Sequence, residues 1–276
     1  MTPDEYIREL AAAITQQEDI TDSEAKDVLF ELALRIYALL LAQLPPTRFE
    51  RYMMWPQLRR QLLPWLLQVN NTLAQILLSR VTAMETLVLP TVERMFELQT
   101  GQLQARPVTQ VLDETLVVGV RLSSLFTPAA VTGIPPFVSQ LLQLLERSVI
   151  GMFFDDPTTP QVAQKVLGVR TRNGREVPVV TKGTVANAWR ERFRSITAAV
   201  LWAPVTPAAQ RAAEIALQSG VVTTVQWRWN AVLDPKTCPR CRPLHGRIEE
   251  IPAAFPEGPP PLHPLCRCVL IPELSR

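Results

Sequence analysis

Every cysteine and every histidine of the chain lies between residues 238 and 268. They fall in the runs Cys238-Pro-Arg-Cys241, His245-Gly246 and His263-Pro-Leu-Cys266-Arg-Cys268. Thiolate and imidazole are the donors that a tetrahedral zinc ion prefers, and Cys-x-x-Cys is the usual spacing of a zinc knuckle. A second pair of donors from the His263 to Cys268 run would close such a site. The chemistry expected is one structural Zn2+ ion held by Cys238, Cys241 and His263, with Cys266 or Cys268 as the fourth ligand. If Cys266-Arg-Cys268 is a strand, both thiols face the same side, so spacing alone does not separate them. His245 is surplus to four-coordination.

Two other readings compete for these residues. Four cysteines in an oxidising compartment would pair as disulfides. The chain opens Met1-Thr-Pro-Asp-Glu5, acidic and without the short apolar run of a secretory leader, which argues against that compartment. The third reading is a metal-free fold that buries reduced cysteines as small apolar residues.

A catalytic constellation is not expected. The chain has no glycine-rich phosphate loop, no Gly-x-Ser-x-Gly elbow and no His-Glu-x-x-His. A zinc deaminase needs His-x-Glu ahead of its cysteine pair and an open coordination position. Here His245 follows the first pair and precedes Gly-Arg, and the surplus of donors closes the ion. With no histidine before residue 245, general acid–base chemistry near neutral pH has few carriers. The protein is therefore read as a non-enzyme without a small-molecule substrate.

The elements around the cluster must bring its two halves together. Asp234-Pro-Lys-Thr237 is a turn-forming approach in which Asp234 or Thr237 can satisfy N–H groups near the first knuckle. His245-Gly246 predicts a tight turn with positive φ at the glycine. Pro256 to Pro264 reads as a stiff, extended connector that returns His263 towards Cys238 and Cys241. Residues 221–232 alternate and are rich in β-branched and aromatic side chains, which predicts a strand with Trp227 and Trp229 on one face. Residues 247–251 and 267–271 are the expected partner strands. A unit that small buries little apolar surface, which is a physical reason for a metal staple.

Upstream, the apolar residues recur at helical spacing. Helices are expected over 22–44 (capped by Asp22 or Ser23), 58–80, 81–104, 108–126, 136–153 and 158–168, with Pro64 and Pro90 kinking or breaking theirs. The chain has 25 prolines against 10 glycines, well above the usual proline share of about 5%. Most stand at apparent helix boundaries, so a series of helices with stiff corners is expected. The greasy run Ile36–Leu44 is too short for a membrane span, which takes about 20 apolar residues. The fold class is therefore mainly α, an elongated helical N-terminal body followed by a small α+β C-terminal domain around the zinc knuckle. The organisation expected is a helical region at 1–105, a helical middle region and basic linker at 106–179, and a C-terminal domain at 180–276.

The net charge of +2 hides an asymmetry. Residues 1–32 carry Asp4, Glu5, Glu9, Glu18, Asp19, Asp22, Glu24, Asp27 and Glu31 against Arg8 and Lys26. Residues 170–194 carry Arg170, Arg172, Arg175, Lys182, Arg190, Arg192 and Arg194 against Glu176 and Glu191. The basic stretch is either a solvated face or a phosphate-binding one.

The C-terminal motif resembles a known family. The order Trp229, Asp234, Thr237, Cys238, Cys241, His245-Gly246, Pro260-Pro261, His263-Pro264 and Cys266-Arg267-Cys268 is similar to the C-terminal domain of tailed-bacteriophage minor head proteins, the Mu F-like or head-morphogenesis family. The resemblance covers roughly residues 220 to 273 and extends more weakly back to about 150. His245 departs from the pattern, since the family often has Asp before the glycine, and residues 190–217 keep only a faint echo of its helical part. The first 150 residues resemble no family.

The resemblance implies a structural protein of the virion, present in the host cytoplasm during assembly. It would associate with the portal protein and other head proteins in head morphogenesis, with a role in DNA packaging or ejection. Residues 1–105 are then the candidate docking region, because wide apolar stripes on long helices suit a partner surface. The basic stretch would contact packaged DNA without sequence readout. The alternative is a zinc-stabilised nucleic-acid-binding module.

Overall fold

The computed structural model describes residues 3–100, 125–130, 133–150, 158–202, 205–235, 237–263 and 265–275. The helices are α1 (Pro3–Gln43), α2 (Arg48–Thr100), α3 (Pro136–Ile150), α4 (Thr159–Val166), α5 (Val185–Trp202) and α6 (Val205–Gln218). The strands are β1 (Gly168–Arg172), β2 (Arg175–Val179), β3 (Thr224–Asn230), β4 (Ile248–Glu249) and β5 (Val269–Ser275). The chain is mainly α, with long helices first and small sheets late. No described helix is long and apolar enough to cross a membrane. Of the helix expected at 108–126, all but Leu125 and Phe126 lies outside the described residues.

The first two helices are longer than their local signals suggest. Asp22 and Ser23 stand inside α1 rather than at its cap, because Ile7, Leu10, Ala11 and Ile14 extend the buried stripe upstream. The segments expected at 58–80 and 81–104 form one helix as far as Thr100, with residues 101–104 outside the described residues, and it also runs through Pro56, Pro64 and Pro90. All three prolines face solvent, while Trp55, Leu58, Leu62, Leu66, Leu73, Leu77, Val81, Met84, Val88, Val92 and Met95 are buried. A proline inside a helix costs about 3 kcal/mol. Each buried large apolar side chain returns roughly 1.5–3 kcal/mol, so packing overrides the local breakers. Pro45-Pro46 does end α1, and Thr47 opens α2 with a capping box. The Glu50 N–H donates to Thr47 Oγ1 (3.3 Å) and the Thr47 N–H to Glu50 Oε2 (3.3 Å).

The chain divides into two compact units, and neither is a continuous stretch. One comprises residues 1–21, 77–121 and 194–276, the other residues 22–76 and 122–193. The helices α1 and α2 each contribute to both units.

The unit that holds the C-terminus contains the antiparallel sheet β4-β3-β5. Trp229 pairs with Leu270 and Asn230 with Val269 between β3 and β5, while Trp227 pairs with Glu249 of β4. Its core joins Ile7, Leu10, Met84, Val88 and Met95 to Ala209, Trp227, Trp229, Leu270 and the buried cysteines. The Gln99 side chain binds β5 as a further strand would. Its Nε2 donates to the Pro272 carbonyl (3.1 Å), and the Leu274 N–H donates to its Oε1 (3.0 Å).

In the other unit Phe126, Phe137 and Phe193 make aromatic contacts at 5.2 and 6.4 Å between ring centroids. This unit also holds the hairpin β1–β2, where a basic linker was expected. Asn173 (φ 52) and Gly174 (φ 72) form its two-residue turn. Positive φ at both central residues is what a type I′ hairpin turn requires, and Asn-Gly supplies it at low cost.

Candidate metal centre

The approach to the first knuckle is a closed turn. The Thr237 N–H donates to the Asp234 carbonyl (3.0 Å), the Asp234 N–H to Thr237 Oγ1 (3.1 Å), and the Thr237 hydroxyl to Asp234 Oδ1 (3.2 Å). Beyond it the Cys241 N–H donates to Cys238 Sγ (3.2 Å), so the backbone wraps the first thiol. A short 3-10 turn, Arg242–Leu244, leads to Gly246 at φ +82, and the Gly246 N–H returns to the Trp229 carbonyl (2.8 Å). The knuckle is thereby tied to β3.

The proline-rich connector returns His263 to that knuckle. His263 Nε2 lies 3.0 Å from Cys238 Sγ and 3.1 Å from Cys241 Sγ. After it, Leu265 takes a left-handed conformation (φ 63), and the Cys266 N–H donates to the His263 carbonyl (3.1 Å). Residues 266–268 are not in a strand, since β5 begins at Val269. The tight turn nevertheless brings both thiols to Cys241.

Two sets of donors converge. The ligand atoms of Cys238, Cys241 and His263 all lie within 4.8 Å of one another, as do those of Cys241, Cys266 and Cys268. Cys241 belongs to both. Its Sγ is 3.9 Å from that of Cys266, and all four cysteines are free thiols. Zn–S bonds of about 2.3 Å set sulfur–sulfur edges of about 3.8 Å in a tetrahedral site, and sulfur–nitrogen edges slightly less. The Cys241–Cys266 distance matches that edge, and the two thiol–imidazole distances are a few tenths of an ångström short of theirs. The donor set fits a metal ion of zinc's size and softness.

Hydrogen bonding divides the thiols into two kinds. For Cys238, burial raises the pKa, but hydrogen bonds from the Cys241 side chain and from the Cys241 and Arg240 backbone outweigh it, and the net shift is down. Cys241 is pushed up to about 12, first by burial and then by its bond to Cys238. Cys266 is drawn down to about 5, first by a hydrogen bond from the Cys268 side chain, against the cost of burial. Cys268 is pushed up, first by that same bond and then by burial. Cys241 and Cys268 therefore hold their protons more tightly than an ordinary thiol, and Cys238 and Cys266 less tightly.

Val232, Thr237, Cys238, Cys241, His263, Leu265, Arg267 and Cys268 line a cavity of about 10 Å³. Cys266 is not part of that lining, although its thiol meets Cys241. Arg267, only 7% exposed, donates from Nη2 to Asp234 Oδ1 at 2.5 Å. A zinc ion with three thiolates and a neutral imidazole would carry a net charge of −1, and Arg267, which lines the cavity and is itself paired with Asp234, would face it. Reading the sequence for ligands alone passes over this cation; the Arg between Cys266 and Cys268 was its only signal. Trp229 is fully buried and packs edge-on against Phe255 at 5.4 Å. His245 lies outside both donor sets, and its Nδ1 accepts the Ala231 N–H (3.2 Å).

The basic residues of 170–194 differ in their partners. Arg190 pairs with Asp22, and Arg192 Nε donates to Gln140 Oε1 (3.0 Å). Arg170, Arg172 and Arg175 stand exposed on the hairpin.

Comparison with known proteins yields one family. No curated protein and no solved structure matches the chain. The family model described as Phage Mu protein F like protein matches residues 181–271, a span that contains the entire cysteine–histidine cluster and the sheet as far as Ile271. The C-terminal region of this chain, residues 181–271, is thus similar to the Phage Mu protein F-like family.

Proposed function

We propose that the chain is a non-catalytic structural component of a tailed-bacteriophage head, with a C-terminal domain stapled by one zinc ion. The observation that carries this reading is the coincidence of the family match with the convergent donors at residues 238–268. Soft thiolates with an imidazole favour zinc over magnesium or calcium. Five donors for a four-coordinate ion leave no open position for a substrate, which supports a structural rather than a catalytic role.

The ligands in this reading are Cys238, Cys241, His263 and Cys266. Cys266 is preferred to Cys268 because its sulfur lies at a tetrahedral edge length from Cys241 and accepts backbone hydrogen bonds, as that of Cys238 does. Metal analysis of the purified protein tests this directly. One zinc per chain is expected, lost in Cys241→Ser and Cys266→Ser but retained in Cys268→Ser. Loss in Cys268→Ser with retention in Cys266→Ser reverses the assignment. Protein without zinc and with its thiols in disulfides refutes the centre altogether.

The partners in this reading are the portal and other head proteins, met in the host cytoplasm and retained in the virion with contact to packaged DNA. Support for a protein partner comes from the start of α2. Phe49, Tyr52 and Met53 are 72%, 62% and 62% exposed, and their i, i+3, i+4 spacing puts them on one helix face. Contiguous exposed apolar groups of this kind mark interaction surfaces. Co-purification with portal rings should be lost when Phe49 and Tyr52 are replaced by Asp. Undiminished capture of that variant removes the docking assignment, and failure of the wild-type chain to be found in heads removes the functional one.

A further inference from the structure

We propose that one face of the β1–β2 hairpin, carrying Arg170, Arg172 and Arg175, binds the phosphate backbone of duplex DNA. This deepens the DNA contact proposed above and rests on that reading only for the source of the DNA. The hairpin lies outside the matched residues 181–271, so nothing in the family assignment accounts for it.

The register decides which side chains share a face. Arg172 is directly opposite Arg175, and Arg170 is opposite Val177. Directly paired residues, and residues two apart on a strand, point to the same side. Arg170, Arg172, Arg175 and Val177 therefore form one face, with Thr171 and Glu176 on the other. Residues 170–177 are all exposed.

Three features single this face out. Among the described residues, no hydrogen bond or ion pair is formed by the Arg170, Arg172 or Arg175 side chain. Like charges directly opposite each other on a ribbon are unfavourable, and Arg172 faces Arg175 next to the turn, where an anion between them would remove the repulsion. The base of the ribbon is also fixed. Leu167 is fully buried with Ala33 and Ala186, and Gly168 lies flush against Thr181, where an added Cβ would come within 2.0 Å of Thr181 Oγ1. The arginines are thus presented from an anchored support.

The shape and chemistry favour DNA over an acidic protein. The major groove of B-DNA is about 12 Å wide and admits a two-stranded β-ribbon. Protein interfaces centre on buried aromatic or apolar anchors, and this face offers only Val177. Phosphate contacts need cations alone and carry no sequence preference. Arg190, held by Asp22, is not part of the site.

The test is fluorescence anisotropy of the full zinc-loaded chain with a labelled 25-base-pair duplex of arbitrary sequence (a length of about two helical turns), titrated with salt. Each phosphate contact contributes about 0.9 to the slope of log K against log salt. Replacing Arg170, Arg172 and Arg175 together by Ala should reduce the magnitude of that slope by about 2.7. The corresponding Lys triple variant should restore most of it. The thermal midpoint should not move, because the three side chains are exposed. Should the triple variant fold poorly, Arg172→Ala alone should reduce the slope by about 0.9. An unchanged slope in the Ala variants, or wild-type binding that does not respond to salt, overturns the proposal. So does loss of poly-glutamate binding without loss of DNA binding. Incorporation into heads, scored separately, reports on the structural role, so failure of one reading is distinguishable from failure of the other.

Discussion

Arg190 holds Asp22 through a two-point contact, Nε to Oδ1 at 2.9 Å and Nη2 to Oδ2 at 2.5 Å. The two residues are 168 positions apart in the chain. Each comes from a stretch of strongly biased charge, and each spends that charge on the other. Hydrogen bonding to Asp22 is also the main cause that raises the Arg190 pKa above its ordinary value.

The pair is mostly shielded, with side-chain exposures of 29% and 16%, so it is worth more than a surface ion pair. Replacing Asp22 by Ala leaves a partly buried guanidinium without its carboxylate and should destabilise the protein by about 1–3 kcal/mol. Urea unfolding of Asp22→Ala, Arg190→Ala and the double variant gives the coupling, expected at about 0.5–3 kcal/mol. Purely additive effects would show that the contact contributes nothing to stability.

Removing residues 1–105 should damage the C-terminal domain rather than leave it intact. Ile7, Leu10, Met84, Val88 and Met95 belong to the same core as Trp227, Trp229 and Leu270. Gln99 satisfies the Leu274 N–H and the Pro272 carbonyl on β5. The fragment 181–271 is expected to have low protease resistance and poor dispersion in its amide spectrum, even with zinc. Gln99→Ala in the full chain should cost about 1–3 kcal/mol, the range for polar groups left without a partner. A well-dispersed, protease-resistant fragment would mean that the helices are dispensable to it.

Alkaline pH should separate the metal-free protein from the zinc-loaded one. The Cys241 pKa is raised from an ordinary 9.0 to about 12, with burial the first cause, so the unfolded chain loses this proton before the folded one does. Its contribution to stability is therefore complete below pH 9 and is lost as pH rises towards 12. Cys268, also raised, acts in the same direction. Cys266, lowered to about 5, is ionised in both states above pH 9 and adds no further change there. One such thiol shifts the unfolding equilibrium by up to about tenfold per pH unit. The urea midpoint measured in reductant at pH 8.5 and 10.5 should fall more after chelation than with zinc bound, because the metal has already displaced the proton. Equal falls in both forms would count against Cys241 as a ligand.

Gly168→Ala should loosen the base of the hairpin. The added Cβ would meet Thr181 Oγ1 at 2.0 Å and the Thr181 Cβ at 3.1 Å, too close for either to remain in place. Overpacking of this sort typically costs about 1–3 kcal/mol. Thr181→Ala in the same chain should restore part of the loss. A neutral Gly168→Ala variant would show that the two segments are not held together as tightly as this contact implies.

The metal-ligand candidates were legible because they depend on residue type and spacing, which are properties of the chain itself. The same holds for the Gly246 turn, the returning proline connector and the strand that carries Trp227 and Trp229, all of which follow from local conformational preference. The hairpin was legible too, since Asn173-Gly174 between two extended runs is a strong turn signal, but reading those residues by charge passes over it. Helix ends were not legible where burial outweighs propensity. Pro56, Pro64 and Pro90 break a helix in isolation, yet a stripe from Trp55 to Met95 holds α2 together. Nor did the sequence show which basic residues remain exposed, since the partner of Arg190 comes from a distant helix. Composition and local spacing determined what chemistry the chain carries. Tertiary packing decided which groups meet, because burial and charge pairing join residues whose separation along the chain leaves no periodic trace.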